Sequence, residues 1–251
     1  MLRLSVVTVT LNNRDSIEET VNSVLNQSHR NIEYIIIDGG SSDGTLELLE
    51  RYRDRIAIIV SESDSGIYDA MNKGIALAGG DVIGILHADD IYAADDVLTQ
   101  VANTFQNDDT DACYGDLIYT HRQDTSRITR FWKAGAYSRS KLYAGWMPPH
   151  PTFFVRKRCY VDYGTYRTDM GTSADYELML RFLLRYGVAP VYLPRILVKM
   201  RSGGASNASL RCRLLGHLGD WHAWMLNGLC PLPWTVPLKP LRKLHQWFTK
   251  D

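Results

Sequence analysis

Three groups of carboxylates mark the places in this chain where chemistry can be done. Asp38 ends the apolar run of IleIleIleAspGlyGlySerSerAsp (35–43), Asp89 and Asp90 end GlyIleLeuHisAlaAspAsp (84–90), and Asp175 opens the apolar stretch of GlyThrSerAlaAspTyrGluLeuMet (171–179). A carboxylate after a strand can accept hydrogen bonds from a base or a ribose. Two adjacent acids repel one another unless a cation relieves them, and a hard divalent ion bound to phosphate oxygens takes few protein carboxylates. An acid partly buried at a helix start can act as a stationary general base. In chain order these amount to a nucleotide pocket, a metal clamp and a base, the parts required to move a sugar off a nucleotide. Each also has a plainer local account. Asp38 can cap a turn before Gly39-Gly40, Asp89-Asp90 can open a helix, and Ser173 or Asp175 can cap one.

Single residues add to the set. His150, between prolines in TrpMetProProHisProThrPhePhe (146–154), can contact an acceptor or a phosphate. Arg201, before Ser202-Gly203-Gly204, can present a bidentate fork to a diphosphate or lie solvated at the surface. Lys73, beside Asn72, is placed inside the helix that follows Asp64-Ser65-Gly66 and is either a donor contact or a solvated position.

The elements that must position these side chains alternate in period. Leu4–Thr10 is expected to be a buried strand, followed by a helix capped by Asp15 with Ile17, Val21, Val24 and Leu25 on one face. Strands at Ile32–Ile37, Ile56–Val60 and Val82–Leu86 are separated by helices over Leu46–Tyr52, entered through Ser42-Asp43-Gly44, and from Gly66 to Leu77, closed by Gly79-Gly80. Repeated strand-helix units imply an α/β fold with a mostly parallel sheet, helices on both faces and the ligand outside the carboxyl ends of the strands. Asn12, Asp38, Asp64 and Asp89 should then share one rim. Beyond a helix at Ala94–Phe105 the regularity changes. Strands are expected at Ala112–Tyr119 and Ile128–Trp132 around a polar turn, Thr120–Ser126. The segment Ala134–Pro151 reads as a loop over a cleft, Pro151–Val155 as a strand, Ala174–Tyr186 as an apolar helix and Val188–Met200 as extended chain.

Composition narrows the function. The 251 residues, 45% hydrophobic, suffice for one large catalytic domain. The 28 basic and 28 acidic residues cancel, which argues against nucleic acid as the main partner. Cys113, Cys159, Cys212 and Cys230 show no metal-like spacing, the N-terminus lacks the zones of a signal peptide, and no apolar run reaches the ~18 residues of a bilayer span. A reducing cytosol is the expected compartment. The neutral sum hides a basic tail. Residues 211–251 hold Arg211, Arg213, Lys239, Arg242, Lys243 and Lys250 against Asp220 and Asp251, together with Trp221, Trp224, Trp234 and Trp247. Rings among basic side chains suit an anionic membrane surface, and they suit equally well packing onto the domain or into a homodimer.

Taken together, ThrValThrLeuAsnAsn (8–13), IleIleAspGlyGlySerSerAspGlyThr (36–45), AspSerGlyIleTyrAspAlaMetAsnLysGly (64–74), HisAlaAspAsp (87–90) and SerAlaAspTyrGluLeuMetLeuArg (173–181) resemble family 2 glycosyltransferases of the GT-A fold, from about residue 3 to 205. The resemblance implies a nucleotide-sugar-binding half over 1–110, an acceptor-binding half over 111–205 and an appended helical tail over 206–251. It implies that Asp38 binds the nucleoside and that Asp64 lies near base or sugar. Thr10, Asn12, Lys73 and Arg201 complete the donor contacts. Asp89, with Asp90 beside it, would hold Mg²⁺ or Mn²⁺, and Asp175 would be the base of an inverting displacement. His87 and His150 would face acceptor or phosphate. The acceptor would be a saccharide or lipid-linked saccharide in polysaccharide or lipopolysaccharide synthesis, met at the cytoplasmic face of the plasma membrane. Two positions depart from the family pattern: His87 stands where Asp is frequent, and Ala174 where Glu often precedes the base. Two other readings stay open. One is a non-catalytic sugar-nucleotide sensor or scaffold, marked by His87. The other is a nucleotidyltransferase, which would call for a Gly-rich basic loop where this chain has Leu11-Asn12-Asn13-Arg14.

Overall fold

In the computed structural model the described residues are 1–203 and 210–244, excepting the side chains of 210–215 and 243–244. Strand β1 (Leu4–Thr10) is buried along its whole length, so its apolar residues face both ways and its hydroxyls need internal partners. Ser5 donates to Glu33, and Thr8 shares a 3.1 Å hydrogen bond with Tyr34. Helix α1 (Ile17–Leu25) follows, then β2 (Ile32–Asp38), α2 (Thr45–Glu50), β3 (Ile58–Ser61), α3 (Ile67–Leu77) and β4 (Val82–His87). These four strands pair in parallel in the order β3-β2-β1-β4. The α/β class and the strand-helix alternation are as the periodicity implies. Gly74 lets α3 lie against β1, because a Cβ there would collide with Val7.

The sheet then changes character. After β5 (Asp90–Tyr92) and α4 (Val97–Thr104) come β6 (Ala112–His121) and β7 (Asp124–Trp132), α5 (Arg139–Tyr143), β8 (Phe154–Arg156), α6 (Lys157–Tyr163), α7 (Ala174–Leu180) and β9 (Pro190–Arg201). Strand β8 inserts antiparallel between β4 and β6, β9 runs parallel to β6, and β5 closes the far edge antiparallel to β9. The sheet formed by the later strands is therefore mixed, in the part of the chain where the regular alternation was expected to change. A three-residue strand such as β5 is too short to show a period. Alternate side chains feed two cores: Val7, Val9, Ile35 and Ile37 pack with α3 and α7, while Leu4, Val6 and Ile36 pack with α1 and α4.

Several local expectations are corrected. Ser16, not Asp15, is the residue before α1, and no side chain caps that helix. Residues 134–151 are not a loop over a cleft. Ala134, Leu142 and Trp146 are buried in the core, and the Trp146 indole donates to the Ala134 carbonyl at 2.8 Å. The polar turn of the β6-β7 hairpin shrinks to Arg122-Gln123, and the helix expected over 174–186 becomes a wider π-type turn at Arg181–Arg185.

The described part of the tail forms α8 (Leu210–Leu226) and α9 (Thr235–Leu244), both docked on the domain. Trp224 is fully buried, its indole donating to the Tyr176 hydroxyl at 2.9 Å and its ring 4.8 Å from that of Tyr143. Asp220 is buried and pairs with Lys239 at 2.7 Å, and the Lys239 ammonium sits 3.7 Å from the Tyr176 ring centre. Packing onto the domain is thus what Trp224 does. Trp247, Lys250 and Asp251 lie outside the described residues. Among the described residues, no helix is long and apolar enough to cross a membrane.

Candidate active site

The turn after β2 shapes one edge of the site. Asp38 is fully buried and accepts hydrogen bonds from the Ser41 amide (3.0 Å), the Ser41 hydroxyl and the Ser61 hydroxyl (2.6 Å). Asn12 takes the left-handed conformation (φ 53°), and its side-chain oxygen accepts from the Ser42 amide at 2.9 Å. Asn12 ties the loop after β1 to the loop after β2, Asp38 ties that second loop to the end of β3, and neither lines the cavity described below. The Asp38 carboxylate is thus bonded within the framework of the turn. Lys73 is likewise outside the lining, engaged by Glu62 at 2.8 Å and Asp69 at 3.5 Å.

Asp64 does reach the site. Its carboxylate accepts from the Gly66 amide at 2.8 Å and lies 2.5 Å from where a Cβ on Gly39 would stand, so glycine at 39 leaves room for it. Thr10, at the end of β1, is buried in the lining with a hydroxyl that has no partner among the described residues, a donor ready for a ligand.

Strand β4 delivers the next group. The Asp89 carboxylate is partly exposed to the cavity, with the Arg122 guanidinium 3.7 Å away. Arg201 was expected to reach a diphosphate. Instead its guanidinium is buried and donates to the Asp89 carbonyl (2.8 Å), the Arg122 carbonyl (3.1 Å) and the Glu19 carboxylate (2.6 Å). It fixes the backbone that presents Asp89. Asp90 points into the interior on β5, 1% exposed, and burial with Asp89 beside it pushes its carboxyl well above the ordinary range. It is placed under the site rather than facing a cation in solvent. His87 stands between the acids, its ring 5.6 Å from that of His150. Burial, reinforced by His150 and opposed by Asp175 and Asp89, lowers His87 to about 4, so it is a neutral imidazole at physiological pH.

Helix α7 presents Asp175 in its first turn, mostly buried, with His150 Nδ1 3.6 Å from its Oδ2. Ser173 precedes the helix but makes no cap, since its hydroxyl donates to the Gly216 carbonyl of α8 at 3.0 Å. Burial and then the charge and hydrogen bond of Asp175 push the Tyr68 hydroxyl far above its ordinary value, so that group is a neutral neighbour of the carboxylate. Tyr68 was not singled out from sequence, although it lies four residues after Asp64 and is the second residue of α3. Its partner ring, Tyr166, is 5.6 Å away and had no local signal.

Thr10, Asp64, Tyr68, His87, Asp89, Asp90, His150, Asp175 and Arg201 all border one cavity of about 620 Å³ at the carboxyl ends of β1 and β4. That is the position at which open α/β sheets bind ligands. A divalent ion would find the Asp89 carboxylate open to the cavity, and no cluster of three or more acidic, His or Cys ligands exists among the described residues. Such a set fits an ion held mainly by substrate phosphates.

The fold is that of GT-A glycosyltransferases. S. aureus TarS 1–349 in complex with UDP-GlcNAc aligns with a TM-score of 0.66 at 16% identity, over 88% of this chain and 69% of that one. Of the longer S. aureus TarS chain, this one spans 41%. The mannosyltransferase PcManGT from Pyrobaculum calidifontis, in complex with GDP-Man and Mn²⁺, aligns with a TM-score of 0.64 at 18% identity, over 96% and 73%. In sequence, residues 5–163 match the family described as Glycosyl transferase family 2, and the chain belongs to that family. An uncharacterized glycosyltransferase of Mycobacterium tuberculosis is 32% identical over 224 residues, 87% of this chain and 84% of that protein. A PGL/p-HBAD biosynthesis glycosyltransferase of Mycobacterium bovis is 28% identical over 208 residues, 81% and 78%.

Proposed function

We propose that this chain is an inverting, metal-assisted transferase that moves a sugar from a nucleoside diphosphate sugar to a hydroxyl of a saccharide or lipid-linked saccharide in the synthesis of a cell-surface glycan. The observation that carries the reading is that Asp64, Asp89 and Asp175, which come from three distant parts of the chain, border one cavity. The acceptor oxygen attacks C1 of the sugar as its proton passes to Asp175, and the bond from C1 to the diphosphate oxygen breaks with inversion. His150 and the Tyr68 hydroxyl hold the carboxylate in place. Asp89, its backbone pinned by Arg201, would hold Mg²⁺ or Mn²⁺, whose charge would stabilise the departing diphosphate. The relative named for PGL/p-HBAD biosynthesis and the structures named with UDP-GlcNAc and GDP-Man are consistent with this donor and acceptor class.

Thermal shift against UDP-, GDP-, dTDP- and CMP-sugars, with and without Mn²⁺, tests the reading. One nucleotide class should stabilise the protein by about 2–3 kcal/mol at saturating concentration, only with metal, and Asp89→Asn should abolish the metal-dependent part. Stabilisation that is indifferent to Mn²⁺, or retained in full by Asp89→Asn, removes the metal from the proposal.

The outer face of the tail supports residence at an anionic membrane. Leu218 (67% exposed), Met225 (65%), Trp234 (53%) and Leu241 (57%) face outward, while Asp220, the acid of the described tail, is buried against Lys239. An apolar face without exposed acid suits the headgroup layer. The full chain should float with vesicles containing phosphatidylglycerol and not with pure phosphatidylcholine, and a Leu218→Asp/Leu241→Asp variant should stay behind. Equal flotation of both proteins removes the membrane role.

A further inference from the structure

Between α6 and α7 the segment from Tyr163 to Arg167 forms a strap along the wall that carries Tyr68. Two residues grip it from opposite sides. From α3, the Asn72 amide donates to the Tyr166 carbonyl at 2.8 Å and accepts from the Tyr166 amide at 2.9 Å, mirroring a peptide group. A primary amide offers donor and acceptor together, which neither a carboxylate nor a hydroxyl of similar reach does in that geometry. From the other side, Arg181 donates to the Tyr163 carbonyl (2.5 Å) and the Thr165 carbonyl (2.7 Å) and pairs in bidentate fashion with Glu177 at 3.0 and 2.9 Å. Glu177 is buried two positions after Asp175, and it also accepts from Asn227, just beyond the end of α8, at 3.2 Å. The strap is thereby fixed to both the helix that follows Asp64 and the helix that bears Asp175. Tyr166, held on it, places its ring 5.6 Å from that of Tyr68, whose hydroxyl adjoins the Asp175 carboxylate.

We propose that Asn72 is a positioning residue for the transfer step: by locking the strap at Tyr166 it sets where Tyr68 stands beside Asp175, and so the geometry in which the carboxylate meets the attacking hydroxyl. The inference rests on Asp175 being the base. Asn72 lies outside the cavity lining, so it acts through Tyr166 and Tyr68 and not on the donor. A displacement of about 1 Å at such a site costs on the order of 10²-fold in rate.

The test uses the full chain carrying Asn72→Ala or Asn72→Asp, with Asp175→Asn alongside. Nucleoside diphosphate release from UDP-N-acetylglucosamine, UDP-glucose, GDP-mannose and dTDP-rhamnose is followed at saturating Mn²⁺, with donor Kd and melting temperature measured on the same samples. The aspartate variant keeps the size and the acceptor atom of Asn72 and decides the matter if the alanine variant does not fold. Expected is a fall in kcat of about 10²-fold for Asn72→Ala and roughly tenfold for Asn72→Asp, with donor KM and Kd within about twofold of wild type. A kcat within about twofold of wild type in a folded variant overturns the inference, as does a loss shared equally between kcat and donor affinity. If wild type cleaves no donor, or Asp175→Asn leaves turnover intact, the base assignment fails first and this inference with it. An inert Asp175→Asn beside fully active Asn72 variants sinks only the role of Asn72.

Discussion

Asp175→Asn should lower turnover by about 10²- to 10⁴-fold, the range that a positioned general base contributes. Asparagine preserves the shape against His150 and Tyr68 but replaces the basic carboxylate, which takes the acceptor's proton, with a non-basic amide. Nucleotide affinity, measured by calorimetry, should change little, because Asp64, Thr10 and Asp89 remain in the lining. Loss of turnover with binding intact identifies the base. Retained turnover would transfer that role to another group, and absence of turnover in both forms, with nucleotide still bound, would favour a sugar-nucleotide sensor.

The second large effect concerns the tail. Trp224→Ala should cost about 3–5 kcal/mol of stability, since it empties a fully buried ring site between Tyr143 and Tyr176. For a chain of this size that corresponds to a fall in melting temperature of roughly 10 °C. Trp224→Phe keeps most of the buried surface and gives up the 2.9 Å hydrogen bond to Tyr176, so about 1 kcal/mol of loss is expected. Differential scanning calorimetry of the two variants checks both figures. A Trp224→Ala protein as stable as wild type would mean that α8 contributes nothing to the core. The effect should reach the site, because α8 receives the Ser173 hydroxyl at Gly216 and Asn227, the residue after α8, donates to Glu177, flanking Asp175 on both sides.

Much of the parallel part of the sheet is decided locally and is therefore legible in the residues themselves. Runs such as Leu4–Thr10 and Ile32–Asp38 are β-branched and buried on both faces, which only a central parallel strand allows, and the helices between them carry one apolar stripe each. Asp64, Asp89 and Asp175 could be placed near strand or helix ends for the same reason, and the cavity brings all three together. What each polar group does with its hydrogen bonds is settled elsewhere. Asp38 spends its oxygens on Ser41 and Ser61, and Arg201 reaches Glu19 across 182 positions of sequence, partners that their neighbours in sequence do not announce. Asp90 and Asp89 are adjacent in the chain, yet one is buried and the other open, because Asp90 begins β5, paired with β9, while Asp89 is still in the turn after β4. The strap from Tyr163 to Arg167, the inward packing of 134–151 and the burial of Trp224 depend on partners tens of residues away. Periodicity reports which face of an element is apolar; only the folded chain determines what that face, and each buried polar atom, will meet.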